Sequence, residues 1–200
     1  DNSISDITAL SSMTALQELY LTNNPVKTIT YLNNCLALQK LNIENCGVAK
    51  LSAVAGNTSL TELDAASNSI EDISVLSGCT ALQKLDVTSN QVKDISVLAS
   101  LPALTTFLGD KNQITAIPKF DAKASKLVTF SVNSNKITDL SGLAGIGTLN
   151  VVKADYNLVK DVSVLKTCAL LVQVDVWNDP LNLATIKPLE DMSVVVTYNP

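Results

Sequence analysis

Hydrophobic and polar positions recur along this chain at a fixed interval. The stretch "LDVTSNQVKDISVL" (Leu85 to Leu98) restates "LDAASNSIEDISVL" (Leu63 to Leu76) 22 residues later, with Leu, Asn, Asp-Ile-Ser and Leu in the same places. Taking a Leu as position 0, repeat units start at Leu16, Leu38, Leu60, Leu82, Leu104, Leu127, Leu149 and Leu171, each 22 residues after the last except for a step of 23 from Leu104 to Leu127. A partial unit occupies 1–15, and a closing strand is expected over 193–200. Fixed spacing of this size is the signature of a solenoid, in which each unit makes one coil and only stacked coils bury their apolar faces. The repeats therefore predict one continuous repeat domain over 1–200.

Each unit reads L-x-x-L-x-L-x-x-N-x-[IV], as in Leu82, Leu85, Val87, Asn90 and Val92, and the better copies continue [DK]-[IV]-S-x-L, as in Asp94, Ile95, Ser96 and Leu98. Apolar residues at positions 3 and 5 alternate with polar ones at 2, 4 and 6, the period of a short strand with one buried face. Positions 10, 13 and 16 are three apart, which suits a turn of 3₁₀ helix or a tight irregular arc. One unit is thus a strand, a turn and a return path. At about 4.8 Å per strand step, eight or nine coils build a parallel sheet roughly 40 Å long.

Position 8 is Asn at Asn2, Asn24, Asn68, Asn90, Asn112, Asn135 and Asn157, where the strand has to bend into the arc. A bend breaks backbone pairing, and an Asn side chain carries both a donor and an acceptor to replace what is lost. A structural asparagine ladder (Asn24, Asn68, Asn90, Asn112, Asn135, Asn157) is the expectation. Cys46 and Asp179 stand in the same column, so their coils should bend less regularly.

The segments N-x-[IV]-x-D-[IV]-[ST]-x-L at Asn2 to Leu10, Asn68 to Leu76, Asn90 to Leu98, Asn135 to Leu143 and Asn157 to Leu165 resemble the 22-residue leucine-rich repeats of bacterial internalin-type surface proteins. The likeness runs along essentially the whole chain. It implies an α/β solenoid: a leucine-rich-repeat right-handed superhelix with a parallel concave β-sheet and a 3₁₀ or irregular convex side. It also implies a non-enzymatic interaction module that binds a protein or glycan partner with the concave sheet, at a bacterial cell surface or outside the cell. Two features depart from the family pattern. Val or Ala follows the arc Ser where the family often has Pro, and the Leu104 unit carries an extra residue around Lys119 to Lys126.

Composition narrows the chemistry. Hydrophobic residues make up 46% of the chain and aromatics 4%, so the core is built mainly of Leu, Val, Ile and Ala. The net charge of −5 comes from 14 lysines against 19 carboxylates, with no Arg and no His. That balance argues against a nucleic-acid partner. Without imidazole there is no Ser-His-Asp or Cys-His nucleophile and no His-ligated zinc, so neither an enzyme nor a cofactor is expected. No stretch approaches the roughly 20 apolar residues of a membrane span. The chain opens at Asp1 with no signal pattern and is expected to be a monomeric piece of a longer protein.

Cys35, Cys79 and Cys168 share position 19 at least two coils apart, roughly 10 Å or more, beyond the reach of a disulfide. Together with Cys46 they read as free buried thiols. The Asp at position 12 (Asp6, Asp72, Asp94, Asp139, Asp161) occurs once per coil, which suits capping of the following arc better than a calcium loop.

The concave face is set by positions 2, 4, 6 and 7. Its central column reads Tyr20, Asn42, Asp64, Asp86, Leu108, Ser131, Lys153, Asp175, and the next Thr22, Glu44, Ala66, Thr88, Asp110, Asn133, Asp155, Trp177. In the last two full coils Lys153, Asp155 and Tyr156 lie beside Asp175, Trp177 and Asn178, where the single Trp and a Tyr share the face. Exposed aromatics gain nothing unless a partner covers them, so these six residues form the candidate ligand surface. A spacer holding another domain away from a cell surface is the competing reading, and Trp177 has no purpose in a spacer.

Overall fold

A computed structural model describes residues 2–199. Nine parallel strands form one open sheet in chain order: β1 (Glu18–Tyr20), β2 (Lys40–Asn42), β3 (Glu62–Asp64), β4 (Lys84–Asp86), β5 (Thr106–Leu108), β6 (Thr129–Ser131), β7 (Val151–Lys153), β8 (Gln173–Asp175) and β9 (Val195–Thr197). Glu18 pairs with Lys40, Lys40 with Glu62 and Glu62 with Lys84, which is the 22-residue interval read as register. The longer step falls between β5 and β6, where Thr106 pairs with Thr129. Each strand is three residues long because only positions 2 to 4 run straight before the chain turns. The fold is a leucine-rich-repeat solenoid.

Position 3 stacks Leu41, Leu63, Leu85, Phe107, Phe130, Val152 and Val174 in the interior, and position 5 adds Ile43, Ala65, Val87, Val132, Ala154 and Val176, all buried. On the return side, 3₁₀ turns at Thr30–Leu32, Ser52–Val54, Ser74–Gly78, Ser96–Ser100, Ser141–Leu143 and Ser163–Thr167 bring the apolar residues of positions 13 and 16 back against the sheet. The position-12 carboxylates of Asp72, Asp94, Asp139 and Asp161 accept the amide of Ser74, Ser96, Ser141 and Ser163 at 2.7 Å, starting each turn. No helix among the described residues is long and apolar enough to cross a membrane.

The bend after each strand is held by position 8. The Asn90 side-chain amide donates to the carbonyls of Val87 in its own coil (2.9 Å) and Ala65 in the preceding one (2.9 Å), while its oxygen accepts the Ile70 amide at 2.8 Å. Asn68, Asn112, Asn135 and Asn157 repeat this pattern. Asn24 does so without a carbonyl from the partial coil before it, taking the Ile4 amide at 3.0 Å and donating to Leu21 at 2.8 Å. Each Asn therefore staples two coils with one donor and one acceptor.

Where another residue stands in the column, half of the staple survives. The Cys46 thiol keeps the donor half, reaching the Leu21 carbonyl at 3.1 Å. It has no acceptor placed for the Val26 amide, which turns to the Asn24 carbonyl, and Lys27 is driven to φ 61°. Asp179 keeps the acceptor half, taking the amides of Val159 (2.7 Å) and Asn157 (3.3 Å).

A second series of cross-coil bonds uses sulfur. Cys35, Cys79 and Cys168 donate to the carbonyls of Leu10, Val54 and Leu143 at 3.5, 3.2 and 3.3 Å, in each case 25 residues back, the same separation as from Cys46 to Leu21. All four cysteines are free, and burial pushes their thiols up, so they stay protonated and able to donate.

Two coils depart from the common arc. Between β5 and β6 the chain makes no 3₁₀ turn; the extra residue lets Phe120 enter the core edge-on to Phe130 (centroids 6.5 Å apart), which in turn lies 5.5 Å from Phe107. Two glycines make room for this. A Cβ on Gly109 would come within 2.6 Å of the Phe107 ring, and one on Gly142 within 2.5 Å of the Pro118 carbonyl. In the last arc the Asp-Ile-Ser motif is absent. A short 3₁₀ turn (Leu183–Thr185), begun by the Asn182 side chain, leads into a single turn of α-helix, α1 (Lys187–Glu190), with Pro188 where no amide is needed. The convex side is thus 3₁₀ or irregular, as the sequence suggests, apart from this one turn.

Replacing Asn90 by Ala strands the Ile70 amide and two carbonyls and is expected to cost about 1–3 kcal/mol, whereas Thr88→Ala on the open face should change stability by less than about 0.5 kcal/mol. Denaturant unfolding of the two variants checks this, and equal losses would contradict the ladder. Gly142→Ala should lower stability by about 1–3 kcal/mol through overpacking against backbone that cannot rotate away, with Gly147→Ala, where the added methyl meets nothing within 4 Å, as the control in the same assay.

Candidate binding surface

The sheet's water-facing side is written by positions 2, 4 and 6, and its two ends differ. At the N-terminal end position 2 alternates Glu18, Lys40, Glu62 and Lys84, with Lys40 and Glu18 3.4 Å apart. Such exposed pairs contribute little energy but satisfy one another's charge. Tyr20, 61% exposed, donates its hydroxyl to Glu18 at 2.9 Å, a bond that raises the Tyr20 pKa and lowers that of Glu18. From β5 onward position 2 is Thr106, Thr129, Val151, Gln173 and Val195, and the charge mosaic ends.

Several carboxylates on this face are tied to backbone, which the column pattern alone does not reveal. In the N-terminal half position 4 caps position 6 of the same coil: Asn42, Asp64 and Asp86 accept the amides of Glu44, Ala66 and Thr88 at 3.0, 3.2 and 2.9 Å. Past β5 position 6 takes over and caps the next coil. Asp110 accepts from Asn133 (2.9 Å), Asn133 from Asp155 (2.8 Å) and Asp155 from Trp177 (2.7 Å). Burial raises the carboxyl pKa of both Asp64 and Asp155, opposed by the amide each accepts. Asp155, expected to face a ligand, is half-buried and directs one oxygen at the Trp177 amide. It positions Trp177.

The remaining candidate residues point outward together. Trp177 is 42% exposed and Tyr156 54% exposed; Asn178 is open to solvent, and Lys153 and Asp175 are half-exposed on neighbouring strands in register. Trp177 is followed by β9, which pairs with β8, so it does not close the sheet's edge. The Tyr156 amide donates to the Trp177 carbonyl at 2.7 Å, joining the two aromatic residues through their backbones.

Position 7, the residue before the ladder, is left-handed in every coil: Asn23, Asn45, Ser67, Ser89, Lys111, Ser134, Tyr156 and Asn178 have φ between 51° and 60°. The column's preference for Asn and Ser is the signal for this, since short polar side chains tolerate that region and bulky ones do not. Lys111 and Tyr156 are the exceptions, and of the two only Tyr156 is aromatic. It holds an aromatic ring at a backbone position that disfavours it, beside Leu158, itself 50% exposed.

Comparison with known proteins agrees with this architecture. A family model described as leucine-rich repeats (2 copies) matches residues 58–100 and 80–122. No curated protein sequence matches the chain. Among solved structures, internalin C2 of Listeria monocytogenes superposes with a TM-score of 0.73 at 26% identity, covering 99% of this chain and 77% of that one. The internalin inlF of the same species gives 0.66 at 25% identity, over 100% of this chain and 74% of that one. A leucine-rich-repeat protein of Leptospira interrogans reaches 0.87 at 17% identity, over 94% of this chain and 50% of that one, a likeness of fold alone. Repeat pattern, parallel sheet and neighbours agree: the chain has the leucine-rich-repeat solenoid fold and is similar to the internalins of Listeria monocytogenes.

Proposed function

We propose that the chain is the partner-binding module of a secreted or surface-anchored bacterial protein, and that Tyr156 and Trp177 anchor a protein or glycan ligand on the C-terminal half of the concave sheet. Lys153, Asp175 and Asn178 form the polar rim, and Asp155 holds Trp177 in place. The observation that carries this reading is Tyr156 itself. Seven other coils place Asn, Ser or Lys at the left-handed position, and this coil alone sets a half-exposed ring there. Strain retained at a half-exposed ring beside an exposed Trp is the mark of a residue kept for contact. The internalin-type fold supports an interaction role, and a concave sheet without a deep cleft suits a macromolecular partner better than a small substrate. A spacer would need neither aromatic.

Stability and binding should separate at this site. Tyr156→Asn is expected to leave the domain as stable or raise its stability by about 0.5 kcal/mol, because Asn accepts a positive φ more readily. Ligands enriched from a displayed-peptide or glycan library on the wild-type chain should lose about tenfold or more in affinity for Tyr156→Asn and for Trp177→Ala, roughly 1.4 kcal/mol or more each. Ligands that bind all three proteins equally would move the site elsewhere. A Tyr156→Asn chain that unfolds more easily would mean the ring serves packing instead.

A further inference from the structure

Every Asn of the ladder supplies two kinds of group at once: an N–H pair for carbonyls at position 5 and an oxygen for the amide at position 10 of the coil before. Asp179 occupies the same place in the last full coil with two oxygens only. Its carboxylate takes the amides of Val159 and Asn157, and nothing from it can reach out to the carbonyls that a ladder amide would serve, Val176 in its own coil and Ala154 in the coil before. Ala154 still receives the Asn157 amide at 2.9 Å, so the vacancy is felt at Val176, the residue immediately before Trp177. One proton would complete the pattern, because a protonated carboxyl carries the O–H donor that the ionised form lacks.

We propose that Asp179 is a proton-operated latch on the last full coil: with its carboxyl protonated, the O–H donates to the position-5 carbonyl and the bend carrying Trp177 and Asn178 closes like the others, and with the proton released to solvent that bend is held by acceptor bonds alone. The Cys46 coil shows what half a staple does to the backbone. There the group lost is the acceptor, and the chain responds with the left-handed Lys27 and a rerouted Val26 amide.

The surroundings favour proton uptake in a mildly acidic range. Burial pushes the Asp179 carboxyl up to about 6, the two backbone amides oppose this, and the negative charge of Asp155 in the preceding coil adds to it. Asp155 is itself acted on by Asp175, Asp110 and Lys153. On the other side lies β9 and the segment after it, where the Asn199 side chain accepts the Asn178 amide and Tyr198 packs against the core. Because the folded-state value lies above the ordinary 3.8, the folded chain binds this proton more tightly than the unfolded one. The latch's stabilising contribution is therefore full below about pH 4 and is lost as pH rises through about 6.

The single Trp lies two residues away and reports on the latch without labelling. The full chain is titrated from pH 4 to 8 while Trp177 emission, its quenching by acrylamide and the thermal midpoint are recorded. Wild type should show one transition with a midpoint near 6, Trp177 becoming more quenchable and the midpoint temperature falling on the alkaline side. Asp179→Asn should abolish the transition and hold the low-pH values up to pH 8, while Asp155→Asn should keep it and shift its midpoint downward. The proposal fails if Asp179→Asn retains the wild-type transition, or if wild type shows none. Should the Asn variant not fold, carboxyl carbon NMR of the wild-type chain decides: an Asp179 midpoint above about 5 supports the latch, and one near 4 overturns it. None of these outcomes depends on whether the concave surface binds a partner.

Discussion

A coil of 22 residues must turn sharply at the end of a three-residue strand, and at that point the backbone can no longer pair with itself. The chain's architecture follows from how that deficit is met. Asn at position 8 satisfies it in five coils by giving its two N–H groups to carbonyls in two coils and its oxygen to an amide in the coil before, and Asn24 does the same with carbonyls of its own coil alone. No smaller side chain offers both functions within that reach. The same bonds set the stacking interval, because a donor that must touch positions 5 of adjacent coils tolerates neither slippage nor an extra residue between strand and bend. The one extra residue in the molecule falls on the return path, between β5 and β6, where no ladder bond is affected and where it brings Phe120 inward.

The bend also determines what the concave face can present. Holding position 8 inward forces position 7 into the left-handed region in every coil, so the residue there projects from the rim of the sheet at a fixed angle. Position 6 must still find an acceptor for its own amide. In the coils of β2 to β4 position 4 is Asn or Asp and the bond closes within the coil; in the last three full coils the acceptor is position 6 of the coil before. Acidic residues on such a face are therefore as much backbone caps as charge, and counting them overstates the field a partner meets. What remains for recognition is the part not consumed by caps, and in the C-terminal coils that part is aromatic.

Much of this was legible before any coordinates. Period, strand placement, the 3₁₀ arcs and the apolar interior all follow from the spacing of Leu, Ile and Val, since local periodicity and coil stacking ask for the same residues. Position 12 was readable because Asp followed two residues later by Ser is a local motif. Features that depend on contact between coils were not legible. Nothing in "ITAIPKFDAKASKL" says that Phe120 rather than Ile117 enters the core, or that Gly109 and Gly142 are the glycines that yield to it. The short α1 could not be read from a four-residue segment. At the candidate surface the register placed Tyr156, Trp177 and Asn178 along one rim, but that the Trp177 amide turns to Asp155 of the coil before, while Asp175 of its own coil takes the Gln173 side chain, is a contact the column pattern does not reveal.

The sulfur series has a consequence for how the molecule could come apart. Each thiol is paired with a carbonyl exactly one coil behind it, so a thiol becomes reachable only when the junction beneath it opens. Cys35, Cys46, Cys79 and Cys168 watch four different junctions, three near the start of the solenoid and one near its end. A thiol-modifying reagent applied under native conditions would thus keep a separate clock for each, and the order in which the four clocks run would tell whether the stack unzips from one terminus or parts in the middle.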